Sequence, residues 1–192
     1  IYNFRQVREG LCAAGANFSS DGDTEVLLEL LARQGLPGLS QAHGMWAFGL
    51  LDHGAGTLLA ARDRYGKKPL FFHLDDERLC LASEIAPILR YLGRPPHLID
   101  AAMDTYLCDG WPFPRADGCT HLEGIREVPS GAAIRFDLGS WRLATERWFD
   151  MDDHVAQAPA RADELPELLR EAVLSRLVAD RKVGLLLSGG VD

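Results

Sequence analysis

The apolar positions of the chain follow two rhythms. Phe4, Val7 and Leu11 stand three and four residues apart, as do Val26, Leu27, Leu30 and Leu31, and each set lines one face of a helix. The second helix is predicted to start at Asp23 or Thr24 as its cap, behind the polar cluster Ser19-Ser20-Asp21-Gly22-Asp23, and to stop at Gly35 and Pro37. From Met45 the pattern shortens to strands. Residues 45–51 and 57–61 read as a hairpin turning at 52–56, and residues 70–74 and 79–82 as a second across Asp75-Asp76-Glu77. Residues 132–137 and 142–149 read as a third, turning at Leu138-Gly139-Ser140. Short helices are expected near 84–92 and 100–108, then a surface loop rich in Gly, Pro and aromatics over 109–119.

The rhythm breaks at residues 150–162, which are acidic, then Ala-rich, and read as a linker. Asp163 is predicted to cap a helix to about Ala179, with Leu165, Leu168, Leu169, Ala172, Val173 and Leu177 on its apolar face. Residues 183–187 then suit a buried parallel strand. They lead into Ser188-Gly189-Gly190-Val191-Asp192, a turn without bulky side chains where backbone N–H groups can converge on an anion. Asp192 is a candidate magnesium ligand. No Gly-Lys-Ser/Thr follows the glycines, so this is not a Walker loop. The residues alone leave two readings open, a phosphate loop or an ordinary corner after a strand.

Composition narrows the partners. A net charge of −8 over 192 residues, with no basic run, argues against nucleic acid. No apolar run is long enough to span a bilayer, so no membrane partner is expected. Cys12, Cys80, Cys108 and Cys119 form no C-x-x-C pair, which suits separate thiols in a reducing, cytoplasmic setting. The six histidines are scattered and none is assigned a metal. Arg62 and Asp63 are read as a charged turn at a strand end that faces a domain interface, and Glu84 as a first-turn helix residue; neither is given a catalytic role.

Seven short blocks then fall in one order: Ile1-Tyr2-Asn3, Asp21-Gly22-Asp23-Thr24-Glu25-Val26, Gly44-Met45-Trp46-Ala47-Phe48, the run from Arg62-Asp63 through Gly66 to Lys68-Pro69-Leu70, Ala82-Ser83-Glu84, Val128-Pro129-Ser130-Gly131, and Ser188-Gly189-Gly190-Val191-Asp192. This succession resembles the glutamine-hydrolysing asparagine synthetases. The resemblance implies an α+β fold: an Ntn-hydrolase-type αββα sandwich over residues 1–149, incomplete at its N-terminus, then a linker over 150–162. Residues 163–192 would open an α/β nucleotide-binding domain of the pyrophosphate-loop type. The chain starts at Ile and stops inside the loop, so it reads as an internal fragment.

The family's nucleophile is an N-terminal Cys whose own α-amine serves as base. No cysteine here stands at a chain start, so no catalytic residue is assigned, and the chain by itself is expected neither to hydrolyse glutamine nor to make asparagine. The resemblance gives Asp23 the α-ammonium of glutamine, with Gly22 leaving room beside it; a plain helix cap is the other reading, and the two can coexist. It gives ATP contacts to Leu186, Ser188, Gly189, Gly190 and Asp192, with Asp192 on Mg2+. The implied reaction is ATP-dependent amidation of aspartate through β-aspartyl-AMP, with ammonia from glutamine; a homodimer is compatible with it. Alternatives are β-lactam synthetases and lasso-peptide cyclases, which activate other carboxylates on the same plan, or a non-catalytic truncated product.

Overall fold

The computed structural model describes residues 1–93, 95, 97–110, 118–155, 162–179, 182–184 and 189. Helices α1 (Phe4–Ala13) and α2 (Asp23–Gln34) come first, then a 3-10 turn at Leu36–Gln41. The strands are β1 (Ala47–Asp52), β2 (Thr57–Arg62), β3 (Phe71–Leu74), β4 (Leu79–Ala82), β5 (Arg126–Glu127), β6 (Ala132–Asp137) and β7 (Arg142–Arg147). Between β4 and β5 lie α3 (Ile85–Leu92) and α4 (Asp100–Asp109). All pairings between these strands are antiparallel, giving a four-stranded sheet in the order β1-β2-β6-β7 and a three-stranded sheet in the order β4-β3-β5.

The period of two along each strand stacks these sheets. Leu59 and Ala61 of β2 and Ala133 of β6 face one way, into a core shared with Val7, Leu11, Val26, Leu30 and Trp46. Ala60 and Ile134 face the other way, onto Phe72, Leu70 and Val128. Phe72's neighbour Phe71 points outward again, onto Ile88 of α3, Leu122 and Ile125. The result is four layers: α1 and α2, the four-stranded sheet, the three-stranded sheet, and α3. This is the αββα sandwich of the Ntn type.

Several expectations need correction. Neither Asp23 nor Thr24 caps α2: Gly22 holds the N-cap position without a side-chain bond, and Asp23 is the first helical residue. Its carboxylate is engaged elsewhere, as described below. Glu84 likewise precedes α3 as its extended N-cap residue. Within residues 150–162 a short helix, α5 (Met151–Val155), forms, with Asp150 accepting from the Asp152 amide at 3.1 Å. Ala162–Glu164 forms a 3-10 turn, so Asp163 caps nothing, and α6 runs over Leu165–Ser175 with a proline in its first turn. It stops short of Ala179 because the Arg176 and Leu177 amides bond three residues back and tighten the last turn. Residues 182–184 are not in a strand, and 185–187 lie outside the described residues.

Candidate functional site

The first candidate site is built from the two ends of the α1–α2 pair. Ahead of α1, residues 1–3 lie against the loop at 41–44. The Tyr2 amide donates to the His43 carbonyl at 2.7 Å. The Asn3 side chain donates to the Gln41 carbonyl at 2.9 Å and accepts from the His43 amide at 2.8 Å. Gly44 makes this approach possible, since a Cβ there would stand 3.0 Å from Ile1 Cα. The segment is thereby held across from the start of α2, and a cleft of about 550 Å3 opens between them, lined by Ile1, Tyr2, Arg5, Gly22 and Asp23 and closed on one side by Leu174 and Leu177.

Asp23 faces this cleft. Its Oδ2 accepts from the backbone nitrogen of Ile1 at 2.6 Å, and the Asp23 side chain stays half-exposed. Gly22 is extended (φ −82°, ψ 157°), and a Cβ there would meet nothing within 4 Å, so the space beside Asp23 is open. Glu25, two residues into α2, reaches back out of the helix. Its Oε1 accepts from the Ser19 amide and hydroxyl at 2.8 and 2.9 Å, and its Oε2 from the Ser20 amide and hydroxyl at 2.7 and 2.6 Å. These four donors hold its carboxyl down at about 2, the Ser19 amide contributing most.

Arg62 and Asp63 turn out to be buried, against the expectation of a charged turn at an interface. Arg62 pairs with Glu127 at 2.8 Å and donates to the carbonyls of Val128, Lys68 and Gly66 at 2.6, 2.8 and 2.7 Å. Burial pushes the Glu127 carboxyl up, and Arg62 pulls it part of the way back. Asp63 accepts from four backbone amides: Tyr65 and Lys67 on Oδ1 at 3.1 and 3.0 Å, Trp46 and Lys68 on Oδ2 at 3.2 and 3.0 Å. The pair therefore welds the end of β2 to β5 and to the Trp46 loop. Buried charges this fully bonded are structural.

A second cleft, of about 830 Å3, lies beyond Tyr2, with His43, Met45, Arg64, Lys67 and Arg176 among its lining. Arg64 donates to the carbonyls of Ala42 and Ser40 and lies 5.6 Å above the Trp148 ring. Burial lowers its pKa, and burial followed by Arg64's charge lowers that of His43.

Of the predicted site residues, Gly22 and Asp23 are brought together on the first cleft. Leu186, Ser188, Gly190 and Asp192 lie outside the described residues. Gly189 is described, with φ +77° and no atom within 4 Å of a would-be Cβ. Among the described residues no group of three or more His, Cys, Asp or Glu could hold a metal, and no helix is long and apolar enough to cross a membrane. Sequence reasoning missed Ile1, Tyr2 and Arg5 as cleft residues and gave Glu25 no role. A Glu three residues past the N-cap, with serines ahead of it, is a capping-box-like signal that could have exposed Glu25.

Comparison with known proteins agrees with this architecture. Residues 1–149 match the family model described as glutamine amidotransferase domain, and residues 164–192 match the one described as asparagine synthase. Asparagine synthetase [glutamine-hydrolyzing] 3 of Bacillus subtilis is 32% identical over all of this chain and 31% of its own length. Amidase chry2 of Gibberella zeae is 30% identical over all of this chain and 28% of its own length. A putative asparagine synthetase of Methanocaldococcus jannaschii is 27% identical over all of this chain and 37% of its own. The chain thus spans about a third of the length of the curated relatives it matches. Among solved structures, glutamine phosphoribosylpyrophosphate amidotransferase from B. subtilis superposes with a TM-score of 0.55 at 21% identity, covering 78% of this chain and 27% of that one. That likeness carries the fold, and the matched models carry the family: the chain belongs to the glutamine amidotransferase domain family, in the arrangement that continues into an asparagine synthase domain.

Proposed function

We propose that the protein takes ammonia from glutamine and uses it to amidate the β-carboxylate of aspartate at the expense of ATP. Glutamine and water give glutamate and ammonia at the amidotransferase site. ATP adenylylates one oxygen of the aspartate β-carboxylate and releases pyrophosphate, giving an acyl adenylate whose leaving group is AMP, and ammonia then displaces AMP at the acyl carbon to give asparagine. The observation that carries the glutamine half is the match of residues 1–149 to the glutamine amidotransferase domain. Asp23 and Gly22 stand side by side on an open cleft, where a carboxylate can meet the α-ammonium of an amino-acid substrate. The ATP half is supported by the match of residues 164–192. It is also supported by the chemistry of Ser188, Gly189, Gly190 and Asp192, whose backbone amides, hydroxyl and carboxylate suit a phosphate group and Mg2+. The left-handed, unobstructed backbone of Gly189 fits such a loop. Leu186 would lie beside the adenosine. No disulfide joins Cys12, Cys80, Cys108 or Cys119, which suits a reducing, cytoplasmic setting.

The test uses the full-length protein. Asp23→Ala should raise the KM for glutamine about a hundredfold and cut the ratio of glutamine-supported to ammonia-supported synthesis in step. Asp192→Ala should abolish aspartate-dependent pyrophosphate release, a loss on the order of a thousandfold, while glutamate release continues. Wild-type kinetics in both variants would refute the assignment. The 30% identity to a fungal amidase favours a second reading, in which the same machinery amidates a different carboxylate. Pyrophosphate release with aspartate excluded, but with another acid supplied, would select it.

A further inference from the structure

Asp23 sits at the first turn of α2, preceded by exposed residues, among them a glycine with no side chain to anchor it. Nothing in that turn fixes where the carboxylate points: Gly22 caps the helix without a side-chain bond. The turn ahead of the helix is held by Glu25. In an ordinary capping box the third helical residue returns to the N-cap amide. Here the carboxylate passes over Gly22 and takes both the amide and the hydroxyl of Ser19 and of Ser20. Both of its oxygens are doubly bonded to donors, and residues 19–25 become a closed ring of backbone with Asp23 inside it. We propose that Glu25 is a positioning residue for amino-acid recognition: by closing this ring it aims the Asp23 carboxylate at the substrate's α-ammonium.

Three further observations carry the idea. Asp21, within the ring, also lines the cleft but is fully exposed and contacts Arg8 at 3.4 Å, whereas Asp23 is only half-exposed at the first turn of α2. The opposite wall of the cleft is independently rigid, through the Asn3 bonds to the 41–43 loop. A fixed wall rewards a fixed carboxylate, because recognition of an ammonium depends on holding the charge at one distance. The depressed pKa of Glu25 means that the ring stays closed at every pH at which an enzyme would be assayed. The inference rests on Asp23 being the ammonium-binding group.

The experiment measures glutamine kinetics in the full-length protein for Asp23→Ala, Glu25→Ala, Glu25→Gln and Glu25→Asp. Glu25→Ala should raise the KM for glutamine about tenfold, with kcat at saturating glutamine moving less than about twofold. Glu25→Asp keeps the charge but is one methylene shorter, and should fall between wild type and Glu25→Ala. Glu25→Gln keeps the shape but turns an amide NH2 toward one serine; it should shift KM in the same direction, and it covers the case in which the alanine variant does not fold. If the role were only structural, the fraction of active enzyme and the melting temperature would drop, lowering apparent kcat with KM unmoved. That outcome overturns the proposal. If Asp23→Ala raises KM and no Glu25 variant does, the proposal fails and the Asp23 assignment stands. If Asp23→Ala leaves KM unchanged, both fall.

Discussion

Helices α2 and α6 share a pattern and differ in fate. Both place leucines three and four apart, with acidic residues at the front. In α2 the stripe is inside: Leu30 is 0% exposed, packed on Leu39 and the four-stranded sheet. In α6 the stripe is in water, with Leu168 57% and Val173 58% exposed. An amphipathic period says that a face is fit to be covered; it does not say that the cover is at hand. The ion pairs divide the same way. Arg62–Glu127 is enclosed and fully bonded, whereas Arg170–Glu167 stands in solvent at 3.3 Å.

The sharpest way to break this comparison is with the charges. Arg62→Ala leaves Glu127 buried without its counter-ion and strands three carbonyl bonds, so unfolding free energy should fall by roughly 3–5 kcal/mol. Arg170→Ala should cost no more than about 0.5 kcal/mol. Urea titrations of the two variants at neutral pH decide it, and equal losses would mean that the enclosed pair is not what holds β2 to β5.

The apolar faces give the next largest contrast. Leu30→Ala should cost about 3 kcal/mol by removing packed methyl groups from a core with no slack, while Leu168→Ala should stay within about 0.5 kcal/mol. A loss at Leu168 that approaches the one at Leu30 would show that the face of α6 is covered in solution.

The smallest effect is one of pH. The Glu25 carboxyl titrates well below its ordinary value, so its contribution to stability is fully present above about 4.5 and is lost as pH falls toward about 2. The difference in melting temperature between wild type and Glu25→Gln should therefore be constant from pH 8 to about 5 and shrink below that. A difference that persists unchanged at pH 2.5 would mean that the serines do not bond the charged form.

Much of the sandwich was legible. The hairpins β1–β2 and β3–β4 announce themselves by alternation around polar turns, and α2 by its leucines and the Gly35 stop. What stayed hidden was whatever depends on distant partners. Arg62-Asp63 reads as a surface turn because nothing local reveals Glu127 and Val128 waiting on the far side of the fold. The two-residue β5 is too short to carry a period. The α5 turn inside residues 150–162 is set by one Asp150 bond rather than by an apolar stripe. At the candidate site Asp23 lines the cleft as the first helical residue of α2, and it is not the cap, because Gly22 holds that position.

The strand order also governs how the domain can assemble. Two hairpins, β1–β2 and β6–β7, are local and can close within microseconds. The seam between them, where residues 57–61 meet residues 133–137, requires closing a loop of roughly 70 residues that contains the whole second sheet. Until β6 emerges from the ribosome, β2 has one unpaired edge and Leu59 and Ala61 have an incomplete layer. The domain should thus be slow to fold and most prone to aggregation in the interval between synthesis of β2 and of β6, and a pause in translation placed between them would lengthen that exposure.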